Sequence, residues 1–196
     1  MLQEVVVFTT VLIATIITEY LHYFLVIKNS IKCSNISYLS NTVKFDVNEI
    51  TTYIIGKTPE LRISNSYRWS SISLPFTTPV IIANAEILFN SFKKYLNVVC
   101  VIHEACHIMN KSSLKFLIAK ASLIPSMVTV LIHFQRQLTT PLLLALTPLT
   151  LLTTYGILKL LSICDEMEAN KCTNNFISVE RLSDASSSLN LRNPRP

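Results

Sequence analysis

His103 and His107 frame the one stretch whose residue types and spacing specify a reaction, His103-Glu104-Ala105-Cys106-His107. Side chains four residues apart share a face of an α-helix, so both imidazoles can reach one metal ion, at roughly 2.0–2.1 Å from each nitrogen if the ion is zinc. Glu104 follows the first histidine and stands where a carboxylate serves as general base toward a metal-activated water. The pattern is H-E-x-x-H, which on a helix signals zinc-dependent peptide hydrolysis.

A catalytic zinc takes three protein ligands and keeps a fourth position open. Few residues beyond the motif qualify. Glu86 lies too close in sequence to the helix it would have to face, and His22 and His133 fall in long apolar stretches. The acidic group Asp165-Glu166-Met167-Glu168 directly follows the last apolar stretch, which returns the chain toward the motif helix. Glu166 and Asn170 share a helical face there, and Glu168 points elsewhere. A solvated acidic turn at the end of a span is the plainer alternative.

The elements that must position these residues include membrane spans. The chain is 50% hydrophobic and only 15% charged, against about 25% charged in a soluble domain. The apolar residues are concentrated. Val5 to Ile27 is long enough to cross a bilayer core of about 30 Å. It reads as an anchor and not a cleaved signal, because Gln3 and Glu4 stand where a basic region would and no A-x-A site follows. Phe116 to Phe134 and Pro141 to Cys164 are two further runs, joined by a short polar link, and predict a membrane hairpin. Lys120 inside the first of them must snorkel or face protein.

Charge orients the spans. Lys28, Lys32 and Lys44 follow the first, Lys111 and Lys115 precede the second, and Lys171 follows the third, whereas the hairpin tip carries only Arg136. The positive-inside tendency places the N-terminus outside and the motif on the cytoplasmic side. The net charge of +5 is therefore mostly membrane-proximal, and no basic stripe suggests nucleic acid. Five cysteines without a C-x-x-C pair suggest neither a disulfide framework nor a structural zinc site, and suit a reducing compartment. Cys106, inside the motif, is expected to pack in the core. Two sequons, Asn35-Ile36-Ser37 and Asn110-Lys111-Ser112, would matter only outside the cytoplasm of a eukaryote.

Between the anchor and the hairpin, Phe45 to Ile55 predicts a short helix. Leu61 to Ser66, Trp69 to Leu74 and Thr78 to Ala83 predict strands, and an amphipathic helix is expected to start at Asn84 or Ala85. Asn97 to Met109 is the motif helix, with Val98, Val99, Ile102, Cys106 and Met109 as its buried face. Ser183 to Pro196 reads as a disordered tail.

The stretch Ser73 to Ile108 resembles the membrane zinc metallopeptidases of the HtpX and CAAX prenyl protease family. The residues carrying the resemblance are Pro79-Val80-Ile81-Ile82-Ala83, Ala85-Glu86-Ile87-Leu88 and Val101-Ile102-His103-Glu104-Ala105-Cys106-His107-Ile108. That family's second motif, E-x-x-A-D, follows two membrane helices, and Glu166-Met167-Glu168-Ala169-Asn170 matches it except at its last position. The resemblance, over roughly Arg62 to Cys172, implies Glu166 as third ligand. Three departures accompany it: Asn170 stands for the family's Asp, one span precedes the motif where HtpX-like members have two, and the C-terminal part is short, with Arg181 the only substitute for the family's oxyanion-side residue.

The expectation is an α+β, mostly helical fold: a zincin-like core of small sheet plus motif helix, with about three transmembrane helices. Its parts are an anchor (1–30), a catalytic region (31–113), a membrane hairpin (114–164), a third-ligand helix (165–182) and a tail (183–196). The expected function is a multi-pass membrane zinc endopeptidase. It would hold one Zn²⁺ per chain on His103, His107 and Glu166, use Glu104 as general base, and act on protein or peptide substrates at the bilayer. Thr78 to Ala83 would hold the substrate as an added strand. The alternatives are an impaired metallopeptidase homologue serving as a membrane adaptor, and a structural membrane protein with an accidental motif.

Overall fold

The computed structural model describes residues 2–32, 50–65, 69–85, 94–135 and 139–177. Residues 45–49, most of the amphipathic helix expected after Asn84, Cys33, the first sequon, Glu86, Arg136, Arg181 and the tail lie outside them. The described chain is a mostly helical α+β fold with a small mixed sheet and three long apolar helices. The long helices are α1 (Leu2–Lys28), α3 (Ser112–Gln135) and α4 (Thr140–Ile177). Between them lie α2 (Lys94–Met109), a helical segment at residues 50–55, and strands β1 (Ile31–Lys32), β2 (Glu60–Ser64), β3 (Ser70–Ile72) and β4 (Val80–Asn84).

By length and composition α1, α3 and α4 can each cross a bilayer. Helices α1 and α3 pack together and run antiparallel, pinned by two polar contacts. His133 Nδ1 lies 2.7 Å from Glu4 Oε1 near one end, and Lys120 Nζ donates to Glu19 Oε1 at 2.6 Å near the other. Lys120 thus faces protein, as its place in an apolar run requires. Glu4 and Glu19 are fifteen residues apart on α1, about 22 Å of helix, less than a hydrocarbon core of about 30 Å. The 38 residues of α4 would extend about 57 Å, well beyond one span. The segment from Asp165, expected as a separate helix, is the continuous C-terminal part of α4.

The sheet order is β1-β2-β4-β3, with β2 and β4 parallel and both outer pairs antiparallel. Strand β4 is therefore central, pairing Val80 with Glu60 on one side and Ile72 on the other. Its apolar run needs both faces covered, the pattern of a buried strand. Ile81 and Ala83 join Leu61 and Ile63 against Val101 and Ile108 of α2, whereas Val80 and Ile82 meet Tyr23, Val26 and Leu117 from α1 and α3. The expectation that Thr78 to Ala83 offers an edge to a substrate is corrected by this order: both of its edges are taken. Among the described residues the open edges are β1 and β3.

Arg62 of β2 donates to the carbonyls of Ile27 and Ser30 at 2.8 and 2.7 Å and to Ser30 Oγ at 2.7 Å. It adds a charged donor to carbonyls at the C-terminal end of α1 and fixes the sheet to that end.

Candidate metal centre

Helix α2 has three working faces. Val101 and Ile108 meet the sheet. Ile102, Ala105 and Cys106 meet residues 50–55 and the end of α4 around Ala169. His103, Glu104 and His107 point into the space between. Helical spacing puts the two imidazoles together: their Nε2 atoms are 3.1 Å apart. Helix α4 brings Glu166 to them, with Oε2 3.3 Å from His103 Nε2 and Oε1 3.7 Å from His107 Nε2. The three side chains, each offering one ligand atom within 4.8 Å of the others, could hold a metal ion.

The donor set is one that zinc can use. Tetrahedral zinc with bonds of roughly 2.0–2.2 Å holds its ligand atoms about 3.3–3.6 Å apart; the two imidazole nitrogens stand 3.1 Å apart, and each has a different Glu166 oxygen at 3.3 or 3.7 Å. Two imidazoles and one carboxylate are also a known catalytic zinc set. Glu166 is largely exposed (57%) while the histidines are not, so the site is open on the carboxylate side.

Asp165, one residue before Glu166, is buried and accepts from His107 Nδ1 at 2.8 Å. Ser112, at the start of α3, donates its hydroxyl to Asp165 Oδ1 at 2.5 Å and lies 3.2 Å from His107 Nδ1. With Nδ1–H engaged, the Nε2 lone pair of His107 is turned toward the cluster, the usual arrangement behind a metal-bound histidine. Sequence reasoning placed Asp165 in the acidic group without giving it this role. The missing signal was Ser112, a partner fifty-three residues away. Asn170, where the resemblance expects a carboxylate, is exposed.

Glu104 is 6% exposed. Burial pushes its carboxyl above the usual carboxylate range and the nearby Glu166 adds to this. A hydrogen bond with Ser71 and the charges on His107 and His103 work the other way. Ser71 belongs to β3, so the open strand edge reaches the buried carboxylate. Both line a cavity of about 340 Å³ that runs from Glu104, His107 and Glu166 to Glu19, His22 and Lys120 between α1 and α3.

Cys106 and Cys172 form a disulfide, with Cα atoms 6.0 Å apart. This corrects the expectation of unpaired cysteines, although Cys106 is buried in the core as anticipated. The bridge ties the helix of His103 and His107 to the helix of Glu166. The pairing depends on how α4 docks, and spacing in the sequence carries no signal of it. Cys100, half-buried one turn before Glu104, remains a free thiol whose pKa burial and the Glu104 charge raise.

No family model matches this chain, and no curated protein matches it.

Proposed function

We propose that this chain is a multi-pass, membrane-embedded zinc endopeptidase that cleaves membrane or membrane-proximal polypeptides. The observation that carries the reading is the convergence of His103, His107 and Glu166 beside the buried carboxylate of Glu104. Zinc, when bound, supplies a Lewis acid that polarises a carbonyl and makes water nucleophilic near neutral pH.

The chain's own groups do the rest. Asp165 and Ser112 hold His107 in the tautomer that presents Nε2. The Glu104 carboxylate accepts a proton from the attacking water and returns it to the leaving amine. Its raised pKa suits that exchange, since a base working near neutral pH gains from a pKa above the ordinary carboxylate value. The outer edge of β3 offers main-chain hydrogen bonds to an extended peptide, and Ser70, Ser71 and Ile72 carry that edge along the cavity. The cavity opens between two helices able to cross a membrane, which suits a substrate that arrives from the bilayer. The lysines flanking the helix ends nearest the site favour the cytoplasmic side.

The test is proteolysis of an unfolded model protein by the detergent-purified chain. Cleavage that a chelator abolishes, that added zinc restores and that Glu104→Gln lacks supports the proposal. Cleavage undiminished in Glu104→Gln overturns the mechanism. Zinc binding without cleavage by the wild type favours the adaptor reading.

A further inference from the structure

Phe76 is the most exposed large apolar side chain described, at 105% of its reference area, and it sits in an unusual backbone state. The turn Leu74-Pro75-Phe76-Thr77 closes by a bond from Thr77 N to Leu74 O at 3.2 Å, and Phe76 has φ 61°. Positive φ at the residue after a turn proline belongs to a type II turn, where glycine or asparagine is usual. A bulky aromatic there costs backbone energy and, in water, exposes a whole ring. Both costs need a compensating environment.

The surroundings say what that environment is. Tyr20 Oη donates to Pro75 O at 2.9 Å and Tyr23 Oη to Thr78 O at 3.1 Å, so both feet of the turn are fastened to α1, a candidate span. The fastening lies at the level of the Lys120–Glu19 pair, where Tyr20 and Tyr23 of α1 place two phenols beside these charges. Tyrosines collect at that level of a bilayer, the boundary between acyl chains and headgroups. From Trp69 to Ala85 the chain carries no charged side chain, so nothing in the hairpin opposes entry.

We propose that the β3–β4 turn is a membrane-inserted finger, with the Phe76 ring buried in the lipid interface beside α1. The finger sets the open edge of β3 against the bilayer surface. A membrane-inserted chain would then meet that edge without first leaving the lipid. The insertion itself stands apart from any peptidase activity.

Phe76→Trp in a Trp69→Phe background leaves a single indole as reporter, since the chain has one tryptophan. The full-length protein is reconstituted in phosphatidylcholine vesicles, with and without lipids brominated high in the acyl chain or near its end. Blue-shifted emission, quenched more by the shallow bromines than by the deep ones, is the expected result. Emission of a water-exposed indole that no brominated lipid quenches overturns the proposal. Stronger quenching by the deep bromines overturns the interfacial placement. A soluble quencher, iodide, gives a second reading: it should quench the same reporter strongly in denaturant and weakly in vesicles. Equal quenching in both counts against insertion.

Discussion

Asp165 and Glu104 are the residues on which the chemistry of the site turns, one by orienting a ligand and the other by its buried charge. Asp165 holds His107 through Nδ1, and loss of such a partner typically costs about 10–100-fold in metal affinity. Asp165→Ala should weaken zinc binding by that factor in a competition titration, whereas Asn170→Ala, on an exposed side chain, should leave it unchanged. The reverse pattern would return the orienting role to the position the family resemblance suggested. Glu104 makes a prediction about stability. Its folded-state pKa is raised above the ordinary value. The folded form is therefore favoured at pH values below the unfolded pKa of about 4.3, and that advantage is lost as pH rises through the folded pKa. In chelator-treated protein Glu104→Gln should melt above wild type at pH 8, since the neutral amide carries no buried charge. The gap should close toward pH 4. A melting point unchanged at both pH values would mean the carboxylate carries no burial cost.

The elements differ in how far the sequence announces them. The three apolar stretches are local signals, and each became a helix: Leu2–Lys28, Ser112–Gln135 and Thr140–Ile177. Strands β2, β3 and β4 were legible within one to two residues at each end, because β-branched runs bounded by Pro59, Pro75 and Pro79 leave little choice; the two-residue β1 was not anticipated. What the sequence could not supply was the order of the strands. Central placement of β4 depends on parallel pairing with β2 across an excursion that includes β3, and pattern within a strand does not encode its neighbours. The Cys106–Cys172 bridge is non-local in the same way, with 66 residues between its ends. Removing it as Cys106→Ser/Cys172→Ser should destabilise by about 2 kcal/mol, the low end of the usual 2–4. Two helices as long and apolar as α3 and α4 would stay in the detergent micelle when tertiary packing is lost, so less chain entropy is released. Thermal unfolding in detergent reads the change, and an unaltered melting point would mean that packing around Ala169 and Ile102 already fixes the two helices.

The whole molecule assembles its candidate centre from distant parts. The histidines come from α2, the third ligand and Asp165 from α4, Ser112 from the start of α3, and the cavity wall from α1. By length and composition α3 and α4 can each cross a bilayer, and a hairpin of two spans would return its end to the side it left, bringing residues sixty apart to one side. The meeting of the three side chains was legible because His103 and His107 are local and the resemblance supplied Glu166. The orienting pair Asp165 and Ser112 was not, since it exists only once α4 lies against α3. The measurement that tests the central claim most directly is metal per chain, by elemental analysis of full-length wild type and Glu166→Ala after reconstitution with zinc and removal of excess. Near one zinc per wild-type chain with clear loss in Glu166→Ala is the expected result. No retained zinc in wild type, or equal zinc in both proteins, would contradict a centre built on His103, His107 and Glu166.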